Sequence, residues 1–250
     1  ATADTDLIRD WMESLMDKGN TASTINKKLS ALRSFYRFAL KRNLVKLDPA
    51  HCVTGPKKSK PLPQFLRAGE MDRLLDDLEW DNTFKSVRAR TILLLFYEAG
   101  LRRSELVGLN DEDIDFTTSQ LKVTGKRNKQ RIIPFGEELA TELQHYMAVR
   151  DAQFGEGHEK ALFLSDKGLR ISGDQVYEIV RKYLSMVTSL KKRSPHVLRH
   201  TFATAMLNNG AGLEGIKNLL GHESVSTTEI YTHTTFEQLK RVYKEAHPRA

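Results

Sequence analysis

Residues 194–233 read SPHVLRHTFATAMLNNGAGLEGIKNLLGHESVSTTEIYTH, and the rest of the chain is organised around them. Ser194 suits an N-cap, Pro195 a first helical turn and Gly210 a helix end, so the spacing predicts a helix between them. His196, Arg199 and His200 fall three and four residues apart, on one face of its opening turns. A second short helix, Leu213 to Leu220, is closed by Gly221, with His222 in the turn that follows. Ser226 and Glu229 have the spacing of a capping box for a third helix, which carries Tyr231. Repeated helix breaks in so short a span fold the chain back on itself. Cationic donors and one phenol are then expected to meet around a single anion.

The totals narrow the function classes. The chain has 250 residues, 40% apolar and 28% charged, as in soluble globular proteins with one large domain or two smaller ones. Its formal charge of +7 is unevenly spread. Residues 1–66 carry twelve Lys or Arg against six Asp or Glu, an excess of six, while the remainder carries 27 against 26. A small basic part beside a near-neutral larger part points to a grip on a polyanion, the plainer alternative being a basic soluble surface. The single cysteine, Cys52, leaves no disulfide framework and no thiolate zinc site. No apolar leader is evident, and the longest apolar run, Ile92 to Tyr97, is too short for a bilayer. A cytoplasmic setting without a membrane partner is therefore expected.

Taken in order, residues 7–18 have helical spacing, with Leu7, Ile8, Trp11, Leu15 and Met16 inward. A second helix runs from Thr24 to Arg42, capped by Thr21 or Ser23, with Ile25, Leu29, Leu32, Tyr36 and Ala39 as its core stripe. Beside that stripe lie Asn26, Ser30, Arg33, Arg37 and Lys41, flanked by Lys27 and Lys28. Every charge there is positive. A solvated face usually mixes signs to gain i,i+4 pairs, so phosphate contact explains this one better. Gly55 to Pro63 reads GPKKSKPLP, an aperiodic basic linker whose Lys57 and Lys58 suit a phosphate backbone. The expected organisation is a helical DNA-binding domain over 1–56, a linker over 57–66 and a larger domain over 67–250, closing on a duplex like a clamp.

In the larger part, residues 67–78 and 84–99 have helical patterns, the second with a deeply apolar centre and Gly100 at its end. Ser104 is placed to cap a short helix running to Leu109, and an arginine just past a glycine turn, Arg102, is expected in a special backbone conformation. The period then changes to two. Leu121 and Val123, a turn at Gly125 to Asn128, and Arg131 to Ile133 form a hairpin, with a third strand at Asp113 to Phe116. Lys126 sits near its tip. Residues 137–150 and 173–188 are further amphipathic helices, and a last one, Phe236 to Ala246, shows an apolar stripe of Phe236, Leu239, Val242, Tyr243 and Ala246.

Five segments carry a resemblance: Gly100-Leu101-Arg102-Arg103-Ser104-Glu105-Leu106, Gly125-Lys126, His196-Val197-Leu198-Arg199-His200, Leu220-Gly221-His222, and Tyr231. In order, spacing and context they resemble the motifs of the tyrosine recombinase (lambda-integrase-type) family, and among these the Xer-type site-specific recombinases. The resemblance implies a mainly α fold with a small antiparallel sheet (α+β). A helical core-binding, SAM-like domain and a catalytic domain ending in an exchange helix would form a C-shaped clamp. It implies that Tyr231 attacks a scissile DNA phosphate to give a 3′-phosphotyrosine and a free 5′-hydroxyl. Arg102 and Arg199 would face the non-bridging oxygens, His196 would be general base, His222 a donor to the phosphate, and Lys126 the general acid. Glu105 and His200 would support them. No metal, ATP or other cofactor is implied. The partners implied are double-stranded DNA with a specific recombination site, and neighbouring protomers of a homo- or hetero-tetramer joined through the C-terminal helix, at the nucleoid.

Two departures stand out. The family hairpin usually reads GKGNK, whereas Arg127 replaces the second glycine, which makes a left-handed turn there less expected. Arg127 and Lys129 then become candidate contacts to the DNA backbone. The chain also begins where the first helix of its relatives would end, so the N-terminal domain is read as lacking that helix. Singly, each residue has a plainer reading: Tyr231 as an exposed helix end, Lys126 as a turn residue, Arg102 as the ion-pair partner of Glu105. Rival functions are a type IB-like topoisomerase and a catalytically silent DNA-binding regulator. A metal site at His196, His200 and His222 lacks the glutamate of the zinc-protease pattern, since Val197 follows the first histidine.

Overall fold

The computed structural model describes residues 3–58, 64–155, 160–221 and 233–249. By its own contacts the chain divides into two units, Ala1–Leu62 and Pro63–Ala250.

In the first unit, helix α1 spans Thr5–Asp17 and α2 spans Ala22–Lys41. Asp4 caps α1 by accepting from Leu7 N at 2.8 Å, and Thr21 caps α2 by accepting from Thr24 N at 3.3 Å. The buried apolar residues are Ile8, Met12, Leu15, Ile25, Leu29, Ala39, Ala50 and Val53. Leu7 and Met16, expected inward, are 55% and 43% exposed. The stripe that meets α2 follows 8, 12 and 15, an i, i+4, i+7 pattern that turns Leu7 and Met16 outward and brings in Met12.

The second unit is built around helix α4, Phe84–Ala99, whose segment Ile92–Phe96 is fully buried. Helix α3, Ala68–Asp72, precedes it and continues as one π turn over Arg73–Asp77. After α4 come α5 (Arg103–Gly108) and strands β1 (Ile114–Asp115), β2 (Gln120–Thr124) and β3 (Gln130–Pro134), forming an antiparallel sheet in that order. Then follow α6 (Glu137–Phe154), α7 (Gly173–Val187), α8 (Pro195–Asn208), α9 (Leu213–Leu220) and α10 (His233–Ala246). The architecture is mostly helical with a small antiparallel sheet, as expected. Among the described residues no helix is long and apolar enough to cross a membrane.

Two local expectations are corrected. Helix α5 starts at Arg103, so its N-cap is Arg102 and Ser104 lies inside the first turn. The cap hydrogen bond is supplied by Glu105, whose Oε2 accepts from Arg102 N at 2.7 Å. Arg102 itself has ordinary extended angles, φ −78° and ψ 150°; the special conformation belongs to Gly100, at φ +57°. A Cβ at Gly100 would lie 2.5 Å from the Phe202 ring, so the tight approach of α4 to α8 requires glycine there.

In this single chain the apolar stripe of α10 is seated on the chain's own core. Leu239, Tyr243 and Ala246 are buried in the main core. The reason is polar as well as apolar. Tyr243 donates to Glu98 at 3.1 Å, and His247 Nε2 donates to Tyr97 O at 3.2 Å while its ring stacks on Tyr243 at 5.0 Å. Arg249 donates to Glu138 at 2.7 and 2.9 Å and pairs with Asp76.

Candidate active site

Glu105 is the hub of the site. It is 3% exposed, on α5, and four donors reach its two oxygens. Arg102 N and Arg131 Nη2 approach Oε2 at 2.7 and 2.9 Å; Arg102 Nη1 and Arg131 Nη1 approach Oε1 at 2.7 and 2.9 Å. Arg199 Nη1 stands 3.9 Å from Oε2. Burial would raise the carboxyl's pKa, but the hydrogen bonds and charge of Arg131, with the donors of Arg102, outweigh it and hold it down at about 2.

The same arginines end helix α9. Its last carbonyls are taken one each: Leu219 O by Arg131 Nε at 2.8 Å, Leu220 O by Arg199 Nη2 at 2.6 Å, and Gly221 O by Arg102 Nη2 at 2.9 Å. These are the carbonyls a helix leaves without an internal partner, at its negative dipole end. Gly221, at φ +63°, closes the helix, and a Cβ there would lie 3.1 Å from Arg131 Nη1.

Arg199 also donates to Gly100 O at 2.5 Å, tying α8 to the end of α4. Burial, then the charge of Arg102, push its pKa down to about 10, so it stays cationic at neutral pH. Arg102 is the more open of the pair, its side chain 35% exposed against 7% for Arg199. His196 and His200 both lie on the exposed face of α8. Partial burial, His200 and Arg199 hold the His196 pKa below its usual value, which favours the neutral ring. Among the described residues no three His, Cys, Asp or Glu side chains gather as a metal site.

Lys126 is exposed, in the short 3-10 turn Lys126–Asn128 between β2 and β3. The base of that hairpin runs beside the hub, since a Cβ at Gly125 would lie 3.3 Å from Glu105 Oε1. The tip overturns the expectation about Arg127. Its backbone is left-handed, φ +61° and ψ 29°, and Asn128 follows at φ +59°. The turn geometry is kept without its glycine, at a cost of about 1–2 kcal/mol for a residue with a Cβ. His222 and Tyr231 lie outside the described residues.

Of the α2 candidates, Lys27, Lys28, Ser30, Arg37 and Lys41 are exposed, as are Lys57, Lys58 and, at the hairpin, Arg127 and Lys129. Asn26 and Arg33 are engaged elsewhere. Arg33 donates to Ala50 O and Val53 O at 3.1 and 2.5 Å, and Asn26 donates to Pro56 O at 2.8 Å. They strap residues 50–56 onto α2.

Arg131 is the cluster member that sequence reading passed over. A signal existed. Val123 pairs with Arg131 and Leu121 with Ile133 across the hairpin, so position 131 shares the buried face. An arginine on a buried strand face needs an internal acid.

The sequence pattern of the phage integrase family matches residues 64–238, and that of the phage integrase N-terminal SAM-like domain matches residues 1–43. The chain belongs to the phage integrase family, and is a tyrosine recombinase, a DNA strand-exchange enzyme. Within it, the chain is 40% identical to Tyrosine recombinase XerC of Chlorobaculum tepidum, over 97% of this chain and 78% of that one. It is 37% identical to Tyrosine recombinase XerD of Oceanobacillus iheyensis, over 97% and 82%. Among solved structures, XerA recombinase is 27% identical at a TM-score of 0.57, covering 99% of this chain and 85% of that one. The fold also matches XerH site-specific recombinase, bound to a palindromic difH substrate in a post-cleavage complex, at a TM-score of 0.76 and 21% identity, covering 96% and 71%.

Proposed function

We propose that this chain is a site-specific DNA recombinase that cleaves and rejoins strands through a 3′-phosphotyrosyl intermediate. The observation that carries the reading is the cluster of Arg102, Arg131 and Arg199 on the single carboxylate of Glu105. Three guanidiniums and one carboxylate leave an excess of two positive charges. Attack on a phosphodiester builds a second negative charge, and fixed cations stabilise that state more than the ground state.

In the proposed step the Tyr231 oxygen attacks phosphorus and the bond to the 5′-oxygen breaks. His196, with its neutral ring favoured, takes the phenol proton. Lys126 gives a proton to the departing 5′-oxygen. Arg102 and Arg199 face the non-bridging oxygens, and His222 donates to one of them. Glu105 holds Arg102 in its plane, and His200 supports the opening turn of α8. A 5′-hydroxyl from the partner strand reverses the step at the new junction, so the phosphodiester energy is conserved in the covalent link. Lys27, Lys28, Ser30, Arg37, Lys41, Lys57, Lys58, Arg127 and Lys129 contact the backbone of the duplex. Exchange proceeds in a tetramer on two sites, with α10 leaving its own seat for the equivalent seat on a neighbour.

The test is a trap. Nicked suicide duplexes tiled across the gene's neighbourhood and the replication terminus are incubated with the full chain, and covalent protein–DNA adducts are resolved on denaturing gels. An adduct on a defined sequence that Tyr231→Phe abolishes, with DNA binding retained, is the expected result. Adducts from the Tyr231→Phe chain would remove that residue from the role. Sustained supercoil relaxation without a preferred sequence would favour the topoisomerase reading.

A further inference from the structure

We infer that Arg131 is a positioning residue for strand cleavage, fixing Arg102 through Glu105 and clamping the end of α9 from which the chain leads to His222. The inference rests on the proposed strand-transfer function.

Arg131 belongs to none of the motif segments, yet it joins three of them. Its fork meets both oxygens of Glu105 at 2.9 Å, in the segment that carries Arg102. Its Nε holds Leu219 O at 2.8 Å, three residues before His222. Its own strand, β3, follows directly from the turn that carries Lys126. It is 5% exposed, so bulk water does not compete for these bonds.

The arrangement leaves Glu105 no freedom. Each oxygen accepts one donor from Arg102 and one from Arg131, so the carboxylate cannot rotate without breaking two bonds. Arg102 Nη1 is thereby fixed in direction, while its Nη2 is fixed by Gly221 O at 2.9 Å. Without the Arg131 fork the carboxylate is free to turn with Arg102, and the α9 end loses one of its three guanidinium caps. Lysine at 131 restores charge but not the bidentate grip, since its ammonium is a point donor on a flexible stem. A buried cation needed only to balance Glu105 would tolerate lysine. A positioning fork would not.

The experiment uses the full chain and the tiled suicide duplex that traps the wild type. Arg131→Lys and Arg131→Met are compared with Arg102→Lys for single-turnover adduct formation, duplex affinity and melting temperature. Arg131→Lys is expected to form adduct about 100-fold more slowly, as misplacement on the scale of an ångström does, with affinity within about threefold of wild type. The same rates are then measured with a methylphosphonate at the scissile position. That linkage lacks one charged oxygen and depends less on an aligned guanidinium, so the defects of Arg131→Lys and Arg102→Lys should shrink together, to about tenfold or less. Wild-type cleavage by Arg131→Lys overturns the inference. So does an Arg131→Lys defect equally large on both linkages, which would mark a role in the fold alone. If the wild type traps no duplex, the strand-transfer reading fails and takes this assignment with it.

Discussion

Glu105 shows how one side chain converts a local cap into a site. Its position three residues past Arg102 lets it accept that residue's backbone N–H and its guanidinium together. Its stability consequence has a definite sign. The folded carboxyl sits at about 2 against an ordinary 4.5, so its contribution is complete above pH 4.5 and is lost as pH falls toward 2. At about 1.4 kcal/mol per unit this amounts to roughly 3 kcal/mol. Glu105→Gln should therefore melt about 10 °C lower at pH 7, the gap closing as pH drops below 4.5. A gap that stays constant down to pH 3 in calorimetric scans would deny the carboxylate its ionised role. Gly100 makes a second residue-scale case. Gly100→Ala imposes a left-handed alanine and puts a methyl 2.5 Å from Phe202 and 2.9 Å from Leu220, all buried. The expected loss is about 2–4 kcal/mol, with adduct formation falling too, because Gly100 O is the anchor of Arg199. Chemical denaturation and the suicide trap measure the two effects separately.

At the scale of elements, α10 is held by groups whose titrations oppose one another. His247 is pushed down to about 4 from 6.5 by burial, partly offset by its bond to Tyr97 O; the unfolded chain takes up that proton first, so stability is lost as pH falls from 6.5 toward 4. Burial raises Glu98 to about 8 from 4.5, so it stays protonated in the fold while the unfolded chain ionises, and stability is lost as pH rises from 4.5 toward 8. Glu98→Gln keeps the acceptor for Tyr243 and removes the second loss. Its melting temperature relative to wild type should rise steadily from pH 4.5 to 8. A difference independent of pH would show that Glu98 is not the titrating group. The elements also show what sequence can and cannot convey. The start of α8 and the end of α4 were legible because Pro195 and Gly100 are backbone punctuation, and HVLRH and GLRRSEL fix the order of donors. Arg131 was not, because alternation says that position 131 faces inward with Ile133 but not that an acid 26 residues away awaits it. The left-handed Arg127 runs against its own residue preference for a related reason: the turn is imposed by the paired strands β2 and β3, which outweigh the preference of one residue. The stripe of α10 shows that the helix buries one face, but an amphipathic pattern does not say whose core it fills.

Over the whole molecule, charge and core are partitioned. The first unit has its own small core, and residues 1–66 carry six of the seven net positive charges. In the proposed function that division separates affinity from chemistry. Phosphate contacts release counterions, so each one steepens the fall of log K with log salt by about 0.9. Not every cation on α2 is available for this work. Arg33 is committed to Ala50 O and Val53 O, whereas Lys27, Lys28, Arg37 and Lys41 project from the exposed side. Changing those four to Gln in the full chain should make the salt slope shallower by about 3 to 4 while leaving melting nearly unchanged. Arg33→Gln should do the reverse, lowering melting through the freed 50–56 segment and leaving the slope almost as it was. Fluorescence anisotropy on a labelled duplex across a salt series reads the slopes, and thermal scans read the folds. If the fourfold variant keeps the wild-type slope, the basic face of α2 does not touch phosphate. The electrostatic grip would then have to come from Lys57, Lys58, Arg127 and Lys129, and the same salt series on variants of those positions would locate it.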